Sequence, residues 1–119
     1  MTLLNERDGG IVARRVARAE HPWTRLVGLL SRAEVAADEG LWFANCAAVH
    51  TMGMRATIDL YFLNEADRVV KIERRIRPGR LAIACSGART VVELGAALDD
   101  RDVVIGDRLV LRQEATPAA

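Results

Sequence analysis

Ile58-Asp59-Leu60-Tyr61-Phe62-Leu63 is followed by Asn64-Glu65-Ala66-Asp67 and then by Arg68-Val69-Val70-Lys71-Ile72-Glu73-Arg74-Arg75. Two short runs rich in aliphatic, β-branched and aromatic side chains, parted by a cluster of turn formers, predict strand, turn, strand. The same alternation extends both ways. Residues 11–17, 41–44, 47–51, 81–84, 90–94 and 108–112 are similar runs, with turn signals at Gly53, Pro78-Gly79, Ser86-Gly87, Gly95 and Gly106-Asp107. Short strands at this spacing predict a mainly β fold, a β-sandwich or small barrel-like domain with one or two short helices, with α+β as the near alternative. Regular alternation of strands with helices is missing, which argues against a doubly wound parallel sheet.

The clearest helix signal covers residues 21–30, where Pro22 suits a first turn and Trp23, Leu26, Val27, Leu29 and Leu30 form an apolar stripe. A second, short helical turn is expected at 31–37. Residues 1–10 are mostly polar and end in Gly9-Gly10, which predicts a flexible lead-in. Residues 113–119 predict a frayed tail, leaving 11–112 as a single globular β-rich domain.

The 119 residues are enough for one hydrophobic core without metal or disulfide staples. Half of them are hydrophobic and 28% are charged, the balance of an ordinary folded domain. A net charge of +1, from 17 basic and 16 acidic residues, provides no global field toward nucleic acid or an anionic membrane. No run approaches the ~20 apolar residues of a spanning helix. No charged start followed by an apolar run marks a secretory signal, so a cytoplasmic location is expected. Cys46 and Cys85 are too few for a disulfide framework and are expected to be buried, reduced thiols.

A family resemblance emerges from Arg25-Leu26-Val27-Gly28-Leu29-Leu30, Gly40-Leu41-Trp42, His50-Thr51-Met52-Gly53-Met54-Arg55, residues 58–64, Val91-Val92-Glu93-Leu94 and Gly106-Asp107. In this order and spacing the chain resembles the bacterial and archaeal family called domain of unknown function 192, from about Arg25 to Leu109. The resemblance implies a compact β-sandwich-like fold and no defined activity.

Asp59 interrupts an apolar run and most needs explaining, because an unpaired buried carboxylate costs several kcal/mol. If 47–52 and 57–63 form a hairpin, a register pairing Met52 with Thr57 puts His50 opposite Asp59. Such a pair suits acid-base chemistry, but a structural hydrogen bond explains it equally well and is preferred. On an extended strand Cys46 stands about 13 Å from His50 at ~3.3 Å per residue, too far for a nucleophilic pair. His21, His50, Asp59, Cys46 and Cys85 match no metal-ligand spacing, so neither metal nor cofactor is expected. Arg68, Lys71, Arg74, Arg75, Arg77 and Arg80 are expected to form a solvated sheet edge that resists aggregation. With no aromatic residue among them to stack bases, nucleic-acid binding is not expected.

No phosphate loop, nucleophile elbow or zinc-protease motif is present. The expected function is a small non-enzymatic accessory domain that binds a small molecule or protein partner, and a homodimer is compatible with it. The candidate site comprises His50, Met52, Met54, Arg55 and Asp59. The alternative is a small hydrolase-like enzyme using His50 and Asp59 as an acid-base pair.

Overall fold

The computed structural model describes residues 1–19, 34–49, 56–79, 83–99 and 101–113. Among these the chain is mainly β, and the strands are β1 (Thr2–Asn5), β2 (Ile11–Ala13), β3 (Arg15–Arg18), β4 (Glu39–Ala44), β5 (Ala48–Val49), β6 (Ile58–Leu63), β7 (Val69–Ile76), β8 (Ile83–Ala84), β9 (Thr90–Gly95) and β10 (Leu109–Arg112). They form a five-stranded sheet of order β3-β4-β9-β6-β7, a three-stranded sheet β10-β1-β2 and the pair β5-β8.

The five-stranded sheet is covered on both faces, which is why β6 and β9 are buried along their whole length. On one face Trp42, Tyr61, Leu63, Val92 and Leu94 pack with Leu3, Ala13, Val103 and Leu109, joining the sheet to the β10-β1-β2 layer. On the other, Leu41, Phe43, Ile58, Leu60, Phe62 and Val91 pack with Ile83 and Ala88 near the β5-β8 pair. Strand periodicity places alternate residues of β4, β6 and β9 in the two cores.

Residues 1–10, expected to be a loose lead-in, instead contain β1, with Leu3 fully buried and the strand paired to β10 and β2. Local polarity misled here because one of β1's two partner strands, β10, lies more than a hundred residues further along the chain. The expected first strand, 11–17, divides into β2 and β3, which belong to different sheets. The helix expected over 21–30 lies outside the described residues, as do 31–33 of the second turn. Residues 34–37 of that turn are not helical. The tail after residue 113 also lies outside them.

The arginine-rich strand is an edge, as its charge pattern suggests. β7 is last in its sheet, and its register against β6 shifts twice. Charge and bulges together discourage pairing with another chain.

Candidate functional site

The expected hairpin between 47–52 and 57–63 does not form. Both edges of β6 are occupied, one by β7 and the other by β9, and β5 pairs with β8. Leu94 of β9 stands opposite Asp59, the place expected for His50. His50, Met52, Met54 and Arg55 lie outside the described residues. They connect β5 to the buried Ala56, just before β6.

Asp59 does have the partner that its burial demands. Between Ile58↔Ile76 and Leu60↔Glu73 the β6-β7 register shifts, leaving Arg74 and Arg75 opposite Asp59 alone. Arg75 takes a φ of 53°, and its displaced N–H donates to Asp59 Oδ1 at 2.7 Å. Oδ2 accepts Ala97 N–H at 3.3 Å and Arg101 Nη1 at 2.5 Å. The Arg101 side chain is itself 8% exposed and also donates through Nη2 to the carbonyls of Gly95, at 2.6 Å, and Ala37. One ion pair therefore ties a β-bulge, the end of β9 and the approach to β4 together. Both of its carboxylate oxygens accept hydrogen bonds that hold the fold.

Asp107 is a second buried carboxylate with built-in partners. It accepts from Asn5 Nδ2 at 2.8 Å, Arg7 Nε at 2.9 Å and Val104 N–H at 3.0 Å. Burial alone would raise this carboxyl, but donation from Val104, Asn5 and Arg7 outweighs it and holds the group below its usual range.

Glu93 is the residue that sequence reasoning missed. It pairs across the sheet with Leu41 on one side and Leu60 on the other, so it shares the face of Leu41, Leu60 and Val91. It is 1% exposed, and neither carboxyl oxygen has a hydrogen-bond partner among the described residues. Burial pushes its pKa from 4.5 to about 7. Next along this face comes Gly95, where a side chain would collide with the carbonyls of Val35 and Ala36, so backbone closes over that end. The opposite face carries a lesser orphan, the Tyr61 hydroxyl. The signal for Glu93 was present in the sequence. Like Asp59, it is a carboxylate inside an apolar run, Val91 to Leu94.

Cys46 and Cys85 are free and half-buried rather than fully buried. No group of three or more metal-ligating side chains occurs among the described residues. No helix among them is long and apolar enough to cross a membrane.

The sequence pattern of the family of uncharacterized ACR proteins, domain of unknown function 192, matches residues 3–111, and the chain belongs to this family. Two solved structures share its fold. A protein of unknown function from Novosphingobium aromaticivorans is 20% identical with a TM-score of 0.73, covering 93% of this chain and 84% of its own. A putative transcription regulator from Sinorhizobium meliloti is 22% identical with a TM-score of 0.71, covering 92% and 89%. No protein of curated function matches.

Proposed function

We propose that this member of the domain of unknown function 192 family is a small, non-enzymatic, cytoplasmic accessory domain that binds a small molecule. Its proposed ligand contacts are Glu93 and, from the chain between β5 and β6, His50, Met52, Met54 and Arg55, residue types that offer soft and cationic groups. Asp59 supports this site through the fold. The observation that carries the reading is Glu93, buried with both oxygens unpartnered among the described residues. Native domains satisfy nearly all buried polar groups, and an exception calls for a functional cause. Free thiols at Cys46 and Cys85 fit a reducing compartment.

A protein partner is the second reading, favoured by exposed Leu98, Val104 and Ile105 around the segment before β10. Native mass spectrometry of the protein purified from its own host tests both. The expected result is added mass on the wild type that is lost on denaturation and absent from Glu93→Leu. A bare mass on wild-type protein would contradict the small-molecule reading, and a bound polypeptide would favour the partner.

A further inference from the structure

The turn after β1, the turn between β6 and β7 and the segment before β10 meet at a cavity of about 270 Å³, lined by Glu6, Arg7, Arg68, Gly106, Asp107 and Arg108. Three guanidinium groups thus share one wall with two carboxylates. Arg68 and Arg108 stand directly opposite each other in an antiparallel bridge. Val69 N–H donates to the Asp107 carbonyl at 2.8 Å and Leu109 N–H to the Asp67 carbonyl at 3.0 Å, one on each side of the pair. This makes Arg68 and Arg108 a non-hydrogen-bonded pair, the kind whose side chains leave one face at the closest spacing. Like charges so placed repel and cost stability.

The chain answers only part of this repulsion. Arg108 donates through Nη1 to Glu6 and through Nε to the Ala66 carbonyl at 3.3 Å. Arg7 is held by Asp107 through Nε and by Asp102 through Nη2, each at 2.9 Å. Arg68 meets no carboxylate among the described residues and donates through Nη1 to the Gly106 carbonyl at 3.0 Å. Arg68 Nε and Nη2, Arg108 Nη2 and Arg7 Nη1 donate to no protein atom among the described residues.

We propose that this cavity holds a phosphate group, which bridges the opposed guanidinium groups of Arg68 and Arg108 with Arg7 beside it. Guanidinium forks match the geometry of phosphate oxygens, and the negative charge turns the repulsion across the bridge into attraction. A phosphate group offers at least three strong acceptor oxygens to these four nitrogens, where a carboxylate offers two. The site is separate from the contacts proposed above and does not rest on them. Free phosphate and the phosphate of a small monoester share this chemistry.

Thermal melts of the whole chain at pH 7.5 and fixed ionic strength test it with sodium phosphate, phenyl phosphate and sodium acetate. The phosphate probes are expected to raise the midpoint saturably and to bind about tenfold or more tightly than acetate. Arg68→Gln removes a repelling charge rather than an ion pair, so it should keep its midpoint without phosphate and weaken phosphate binding about tenfold. Glu6→Gln removes an anion from the lining and should tighten phosphate binding. Amide NMR of the wild type during phosphate addition needs no variant to fold, and the shifts should cluster at Arg7, Arg68 and Gly106 to Arg108. Tighter binding of phenyl phosphate than of phosphate would support a small monoester as the source, and the reverse order free phosphate. Equal responses to phosphate and acetate, a phosphate response unchanged in Arg68→Gln, or shifts confined to other residues would overturn the site.

Discussion

Asp59 and Glu93 sit one register position apart in the β6-β9 ladder, on opposite faces of one sheet, and both are buried. Asp59 is surrounded by donors that the chain provides: a bulge N–H, a loop N–H and a buried guanidinium. Glu93 is surrounded by leucine and valine. Burial by itself therefore says little about role. A carboxylate whose partners are built in serves the fold, whereas one without them carries a standing free-energy cost that the fold alone does not repay.

Turning Asp59 into a second Glu93 should break the comparison most severely. Arg101→Met removes its counter-ion, and urea unfolding at pH 7 should show a loss of about 3 to 5 kcal/mol, the usual consequence of breaking a buried ion pair from one side.

Glu93 should make stability depend on pH in the opposite sense from an ordinary paired carboxylate. Its folded pKa of about 7 lies above the unfolded value of 4.5, so the folded state holds an extra proton between them and stability falls as pH rises through that window. The loss should be on the order of 3 kcal/mol between pH 4.5 and 8. Denaturant melts across that range should show the slope in the wild type and not in Glu93→Gln. Asp107, with its lowered pKa, acts the other way and in a more acidic range, losing its contribution as pH falls through the folded value.

Smaller effects sharpen the contrast. Asp59→Asn keeps an acceptor for the bulge N–H of Arg75 but gives up the charge facing Arg101, and should cost about 2 kcal/mol in the same melts. Asp107→Asn keeps one acceptor oxygen, and its partner Arg7 is 44% exposed. Water can replace part of what is lost, and about 1 kcal/mol is expected.

Legibility in the sequence followed the distance over which each signal acts. Ile58–Leu63 emerges as β6 with both boundaries as expected, because its apolar run and the Asn64 turn lie side by side. The arginine-rich edge was legible for the same local reason. β1 was not, since Thr2–Asn5 sits between nearby β2 and β10 at the far end of the chain, and no local pattern reports the distant half of that pairing. Asp59 was recognised as needing a partner, but Arg101 is 42 residues away and no spacing rule reaches it. The hairpin that would have supplied His50 was the nearest local solution, and β9 occupies its place. Glu93 was overlooked although it carries the same signal as Asp59. What separates the two is which neighbours the sheet brings to each, and only the assembled ladder reveals that.

The most direct test of this contrast is to follow the side-chain carboxyl 13C shift of Glu93 by NMR as pH is varied in ligand-free protein. A midpoint near 7 is predicted, because that carboxyl is buried with no donor or cation among the described residues. A midpoint at or below 4.5 would show that the folded chain already gives Glu93 a partner, and the distinction drawn from Asp59 would fall.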